Sequence, residues 1–152
     1  MKTLTCKDIL ILEQILPRGR KGVKVRRVNL NLSRDLLTIK REAEIIRDAL
    51  ENLKSEELSK LENEYKSVYA QIENEARKKN QQISPVALEM EARAGFANFE
   101  KMKTLQKEYL KEERKLLNEP CDAKLITTLK EEDIPENCDP ETTDALIYFL
   151  EE

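Results

Sequence analysis

The chain of 152 residues contains no histidine and no tryptophan, and only 3 of its residues are glycine. The lack of histidine removes the most common general base, the Ser-His and Cys-His nucleophile pairs, and most zinc and iron sites. No GxGxxG or Walker pattern is present, and Gly19 and Gly22 lack the strand-turn-helix context of a phosphate-binding loop. We therefore expect a protein that is not an enzyme, with no metal site and no cofactor.

Cysteine is scarce and badly spaced for a structural role. Cys6, Cys121 and Cys138 are odd in number and form no CxxC pair, which argues against a disulfide framework and a zinc site. The N-terminus has no apolar signal-peptide region, and no run approaches the ~18 apolar residues of a membrane span. We expect a cytoplasmic protein with reduced thiols, in which Cys6 and Cys121 fill space close to each other.

The clearest positive feature is an apolar stripe with steps of three and four residues, which places its members on one face of a helix. It predicts a helix from Arg34 to about Lys79, with a slight kink or local adjustment where the spacing skips at Lys54 to Glu57. Its start is ambiguous: the stretch from Val23 to Leu32 fits a strand followed by an N-cap at Ser33, or a helix from Val23, which we prefer. The stripe consists of Val25, Val28, Leu32, Leu36, Ile39, Ala43, Ile46, Leu50, Leu53, Leu58, Leu61, Tyr65, Val68, Ile72 and Ala76.

A second stripe follows a clear helix start, in which Ser84 is the N-cap and Pro85 the first helical residue. It predicts a helix to about Asn118, in which Gly95 allows close approach of the preceding helix. The short turn before it makes the two helices antiparallel neighbours. The stripe consists of Leu88, Ala92, Phe96, Phe99, Met102, Leu105, Tyr109 and Leu116. We assign the aromatic residues on or beside the stripes to the core, namely Tyr65, Tyr69, Phe96, Phe99 and Tyr109.

The chain ends carry shorter elements. Thr5 and Asp8 outline a capping box for a first helix that Pro17 should end. Met1 to Thr5 could pair as a strand with Lys124 to Leu129, and Asp139-Pro140 should start a terminal helix. The predicted fold is mainly α, a long, coiled-coil-like antiparallel helical hairpin with short flanking helices and a two-stranded β element that the termini could form. We expect one domain over 1–152, with a strand, helix and basic turn at 1–22, the hairpin at 23–118 and an acidic strand-loop-helix at 119–152.

Charge is unevenly distributed although the net charge is only −3. A basic block lies at the predicted turn between the first two helices, and no Lys or Arg follows Lys130, where acidic residues crowd the end. The block either pairs with this acidic segment, which we favour, or binds an anion beside a helix N-terminus, where Gly19 and Gly22 would let the backbone approach the anion. The block consists of Arg18, Arg20, Lys21, Lys24, Arg26 and Arg27.

The order of these segments resembles small, uncharacterised proteins of tailed phages of Gram-positive bacteria and their prophages. The matching pieces are Leu12 to Leu16, Arg20-Lys21-Gly22, Arg26-Arg27, Leu116-Leu117-Asn118-Glu119, Ile134-Pro135 and Thr142 to Leu150. The resemblance implies a phage origin and a helical hairpin, and it implies no active site.

These observations lead to two functional hypotheses. The first is a non-enzymatic phage-type accessory protein in the bacterial host cytoplasm, acting by protein–protein interaction as an assembly factor or as an inhibitor of a host defence protein. Its partner would be another protein, a second copy of the chain in a homodimer or higher oligomer, or both. Apolar residues off the main stripes support it, namely Leu37, Ile45, Val86 and Leu110. The alternative is binding of a nucleotide or nucleic acid through the basic block.

Overall fold

The structure, a computed structural model, describes residues 3–150. It is mainly helical with one short antiparallel pair of strands, which confirms the predicted fold class. The helices are α1 (Cys6–Gly22), α2 (Arg26–Leu53), α3 (Glu56–Lys78), α4 (Pro85–Ala94), α5 (Phe99–Leu117) and α6 (Pro140–Ile147), with a 3₁₀ turn at Glu131–Asp133, and the strands are β1 (Leu4–Thr5) and β2 (Pro120–Cys121).

The chain divides into two compact units. Asn52–Glu113 forms one, which we call the hairpin unit, and the chain before Asn52 and after Glu113 forms the other, which we call the terminal unit. Each unit has its own cluster of buried apolar side chains.

The hairpin unit is an antiparallel arrangement of α3 against α4 and α5. Tyr65 of α3 contacts Phe96 and Phe99, with ring centroids 5.7 and 5.6 Å apart, and Glu62 accepts a hydrogen bond from Gln106 at 3.0 Å. This tilted aromatic packing provides the large apolar contact area that a small core needs. The buried cluster consists of Leu58, Leu61, Phe96, Phe99 and Met102, with Tyr65, Val68, Leu105 and Tyr109 packed against it. Four of the five aromatic residues are therefore core as predicted, and Tyr69 lies outside this cluster and lines a surface groove.

Neither long helix of the predicted hairpin is continuous. The chain leaves helical geometry after Leu53, and Ser55 caps α3 by accepting a hydrogen bond from the Leu58 backbone N–H at 3.1 Å. The predicted slight kink is therefore a complete break, because a strong N-cap starts a new helix there. The second helix is also interrupted, since Gly95 ends α4 and α5 begins at Phe99. A methyl group on Gly95 would lie 3.7 Å from Val68, an ordinary contact, so this glycine does not serve the predicted close approach.

The core of the terminal unit lies among α1, α2, α6 and the segment between β2 and α6. The buried stripe of α2 follows the predicted spacing through Leu32, Leu36, Ile39, Ala43 and Ile46. Its fully buried partners from the other elements are Ile9, Leu12, Leu16, Leu129 and Leu146.

The first helix is longer than predicted. α1 continues past Pro17 to Gly22, because Leu16 and Gly19 pack in the core and the contact with α6 outweighs the hydrogen bond that proline cannot donate. Helix α2 then begins at Arg26 rather than at Val23, so only residues 23–25 connect the two helices. The Asn29 amide donates to the backbone carbonyls of Arg20 and Val23, at 2.8 and 3.1 Å, and so closes the end of α1.

The predicted β element exists with a different second strand. Leu4 pairs with Cys121 and Thr5 with Pro120, whereas Lys124 to Leu129 forms no strand; Met1 and Lys2 lie outside the described residues. The segment nevertheless has the alternating burial of a strand, since side chains 125, 127 and 129 are buried and their neighbours are exposed. The backbone N–H groups of Ile126 and Thr127 donate to a carboxylate of α2, and that of Leu129 donates to the Phe149 carbonyl in an isolated bridge with Leu150.

Candidate functional site

The six cations of the basic block do not form one turn. Arg18, Arg20 and Lys21 belong to α1, Lys24 lies in the connection, and the last two residues, Arg26 and Arg27, open α2. The predicted basic turn is therefore wrong as a local structure, because α1 extends through its first half.

Two of these cations already have partners. Arg18 makes an exposed ion pair with Glu141 at 3.6 Å, and Arg20 is half-buried and donates a hydrogen bond to the Ser33 hydroxyl. Arg20 thus links α1 to α2 and contributes to the fold. Lys21, Lys24, Arg26 and Arg27 are exposed.

Both glycines of the block face protein atoms. A methyl group on Gly19 would lie 3.0 Å from Thr142 of α6, and one on Gly22 would lie only 2.6 Å from the ring of Pro135. These glycines allow α6 and the acidic segment to pack closely on α1. The space that a side chain would occupy at each glycine is therefore filled by protein atoms and is not open to an anion, contrary to the hypothesis.

The acidic segment lies beside two of the remaining cations, Lys24 and Arg27. A surface groove of about 400 Å³ is lined by Lys24 together with Glu132, Asp133 and Glu136, and a second groove of about 540 Å³ brings Arg27 beside the first two of these acids. Carboxylates on the wall of a groove repel a phosphate and attract the neighbouring cations. This placement favours the charge-pairing interpretation of the basic block.

Asp35 is the buried charged residue that the sequence did not reveal. Its side chain on α2 is 1% exposed, and its two carboxylate oxygens accept hydrogen bonds from the backbone N–H groups of Ile126 and Thr127, at 2.9 and 2.8 Å. The carboxylate thus accepts the two backbone hydrogen bonds that a neighbouring strand would otherwise accept from the segment Lys124 to Leu129. The only sign of this buried acid in the sequence is its position, since Asp35 directly precedes Leu36 and lies on the side of α2 that carries the apolar stripe.

The side of α2 opposite the core is exposed and partly apolar. Leu30, Leu37 and Ile45 are 54%, 60% and 61% exposed, and they are surrounded by charged residues. The sequence pattern places Leu37 and Ile45 off the buried stripe, whereas Leu30 lies in the stretch that also fits a strand and has no clear assignment. We call this side the outer face of α2, and it consists of Arg26, Arg27, Leu30, Arg34, Leu37, Arg41, Glu44, Ile45, Asp48 and Glu51, all exposed.

The hairpin unit also exposes large apolar side chains. Val86 and Met90 of α4 are 68% and 67% exposed and lie one turn apart on the same side of the helix, and Leu110 of α5 is more than half exposed. Exposed apolar pairs of this kind are found at contact sites with other proteins. A groove of about 650 Å³ at the hairpin turn is lined by both polar and apolar residues, Tyr69 and Arg77 among them.

In the described part of the chain, the thiols of Cys6 and Cys121 are unreactive and the carboxylates form no metal site. Burial raises the pKa of Cys6 and Cys121, which keeps both thiols protonated and unreactive near neutral pH. Among residues 3–150, no group of three or more acidic or cysteine side chains has the arrangement of a metal site. None of the helices in this part of the chain combines the length and the apolar content needed to cross a bilayer.

The chain was compared with protein families, curated proteins and solved structures. No protein-family model, no curated protein and no solved structure matches the chain.

Proposed function

We propose that this protein is a non-enzymatic phage-type accessory protein that acts by protein–protein interaction, as an assembly factor or as an inhibitor of a host defence protein. The observation that carries the proposal is the set of large apolar side chains exposed on helices whose other sides form the cores. Burial of such side chains against a partner is the main favourable term in protein association. The phage assignment is supported by the resemblance in segment order.

The test is affinity capture from a lysate of infected host cells, with captured proteins and bound small molecules identified by mass spectrometry. A double variant, Val86→Asp with Met90→Asp, puts charges into the exposed apolar pair of α4. The expected result is a protein that the wild type captures and the variant does not, because a buried unpaired carboxylate is costly.

A matched control adds the same two charges at exposed polar positions of α3, as Ser67→Asp with Gln71→Asp. This control should capture the same protein as the wild type. Capture that all three chains share equally would be non-specific and would count against the proposal for this surface.

A second candidate is binding of a nucleotide or nucleic acid through the basic block. It has in its favour that Lys24, Arg26 and Arg27 are exposed and adjacent at the start of the 28-residue helix α2. The sharpest variant reverses these three charges to Glu and leaves Arg20 in place, because that side chain holds α1 to α2.

The two interpretations of the basic block give opposite results with this variant. An anion site should lose its affinity for ATP or for a nucleic acid while the melting temperature is unchanged. Charge pairing should instead lower the melting temperature, and Glu132→Lys with Glu136→Lys should restore it. We expect the second result, because Glu132 and Glu136 line the groove of Lys24, and Glu132 also lines the groove of Arg27.

A further inference from the structure

The outer face of α2 has an apolar centre line. At ~100° per residue, Leu30, Leu37 and Ile45 fall within an arc of about 80° on the helix surface. The buried stripe occupies the opposite side, where Leu36 and Ile39 point into the core. Within the described part of the terminal unit, the core therefore takes one side of α2 and leaves the outer face exposed.

The charges on this face are segregated along the helix. Its N-terminal part carries only cations, with Leu30 and Leu37 among them, and its C-terminal part carries only anions, with Ile45 among them. The cations are Arg26, Arg27, Arg34 and Arg41, and the anions are Glu44, Asp48 and Glu51. Such a face repels a parallel copy of itself, since like charges would meet at both ends, and it is complementary to an antiparallel copy.

We propose that the outer face of α2 binds the same face of a second copy of this chain, with the two helices antiparallel. The inference rests on the proposed function, because it names the partner of one of the exposed apolar surfaces. The face is self-complementary, as a two-fold interface requires.

The register follows from the spacing of the residues. Leu30 and Ile45 lie at equal distances from a point between residues 37 and 38, and Arg27 and Asp48 lie at equal distances from the same point. A two-fold axis at that point brings Leu30 of one copy against Ile45 of the other and places the Leu37 side chains beside the axis. It also pairs Arg27 with Asp48 twice.

The same axis places Arg34 opposite Arg41 of the other copy. Glu44 lies one turn from Arg41 on the same helix and supplies a counter-charge within reach of both arginine side chains. From Arg26 to Glu51 the face is about 37 Å long at ~1.5 Å per residue. One helix face with three apolar anchors makes a small interface, so we expect a reversible dimer whose population depends on concentration.

Analytical ultracentrifugation over a wide range of protein concentration tests the dimer. The wild type should shift from monomer to dimer as concentration rises, and Leu37→Glu should remain a monomer with unchanged helical circular dichroism. The matched control is Ser67→Glu, which adds the same charge at an exposed polar residue of the hairpin unit and should dimerise like the wild type. A wild type that stays monomeric throughout, or a dimer that Leu37→Glu leaves intact, would overturn the proposal.

Charge exchange tests the antiparallel register. Arg27→Glu and Asp48→Arg should each weaken the dimer by roughly tenfold, because each change puts like charges together at two symmetric contacts. The chain with both changes should regain the wild-type dissociation constant, since the pairs are restored in reverse. Failure of this rescue would exclude the antiparallel register, because a parallel pair would not place residues 27 and 48 together.

The dimer and the proposed function can fail separately. A monomeric wild type that still captures a host protein through Val86 and Met90 would overturn the dimer and leave the proposed function. A dimer that responds to Leu37→Glu but captures nothing through α4 would support the dimer and count against the host-directed function.

Discussion

At the scale of single residues, Asp35 determines where the segment from Lys124 to Leu129 lies. Its carboxylate accepts the backbone hydrogen bonds of Ile126 and Thr127 from inside the core. Asp35→Ala would remove the partner of both N–H groups and leave that of Thr127 buried and unpaired, and we expect it to lower the free energy of unfolding by about 2–3 kcal/mol. Urea unfolding measures this change, and Glu64→Ala, at an exposed acid of α3, should alter stability by less than about 0.5 kcal/mol. A similar loss in both variants would contradict the assigned role.

Asp8 couples the start of α1 to the C-terminal residues and makes stability depend on pH. Burial opposes ionisation of its carboxyl, but hydrogen bonds from the Thr5 backbone, from the Tyr148 hydroxyl and from the Thr5 hydroxyl outweigh this effect and lower the pKa of Asp8 below its usual value of 3.8. A carboxyl with a lowered folded-state pKa contributes stability that is complete above its unfolded pKa and is lost as pH falls through the folded pKa.

We therefore expect the melting temperature to fall as the pH is lowered below about 4, in part because Asp8 becomes protonated. Asp8→Asn should have a lower melting temperature than the wild type at neutral pH. The difference in melting temperature between the two proteins should become smaller as the pH falls below about 4. Melting curves at a series of pH values measure it. A difference that stays constant down to pH values well below the usual pKa would show that ionised Asp8 does not contribute.

At the scale of elements, the turn between α3 and α4 depends on one left-handed residue. Asn80 has φ of 50°, and the N–H groups of Asn80 and Gln81 donate to the carbonyls of Arg77 and Ala76, at 3.1 and 3.0 Å. This is the Schellman pattern, in which asparagine is tolerated and glycine is preferred. Asn80→Gly should raise the free energy of unfolding by up to about 1 kcal/mol, and Asn80→Val should lower it by about 1–2 kcal/mol.

Chemical denaturation of both variants checks this prediction. Gln82→Gly provides the control, because residue 82 has no positive φ and glycine there only adds freedom to the unfolded chain. Stabilisation by Gly at position 82 but not at 80 would contradict the role given to Asn80.

The elements also show which features the sequence could predict. Thr5 with Asp8, Ser84 and Asp139 were all identified as caps, and each makes the expected bond, because a cap depends on a few adjacent residues. The end of α1 and the β pairing were mispredicted because they depend on distant contacts, Gly19 with α6 and Asp35 with the chain near residue 126. These contacts have no local pattern.

The exposed residues of the candidate surfaces could be predicted from the sequence, but their arrangement in the fold could not. Leu37, Ile45, Val86 and Leu110 were identified because they lie off the helical stripes, and all four are exposed. The basic block was found by composition, but its division between two helices was not. That division depends on the end of α1, where the packing of Gly22 against Pro135 allows the helix to run further than Pro17 suggests.

At the scale of the whole molecule, the chain has two compact units, which unfold either together in one cooperative transition or separately in two. The boundary at Glu113 and Arg114 falls inside the continuous helix α5, and the predicted single domain requires both units to unfold together. Met102 is buried in the hairpin unit and Leu146 in the terminal unit, so each can be truncated to alanine to weaken one core selectively.

We expect a single calorimetric transition in the wild type. Met102→Ala and Leu146→Ala should each lower the free energy of unfolding by about 2–5 kcal/mol and shift the whole transition, because a cavity in either core destabilises a cooperative fold as one body. Equality of the calorimetric and van't Hoff enthalpies is the check. Two resolved transitions, of which Met102→Ala shifts one and Leu146→Ala the other, would show that the units are separate domains and that α5 can unwind at their boundary.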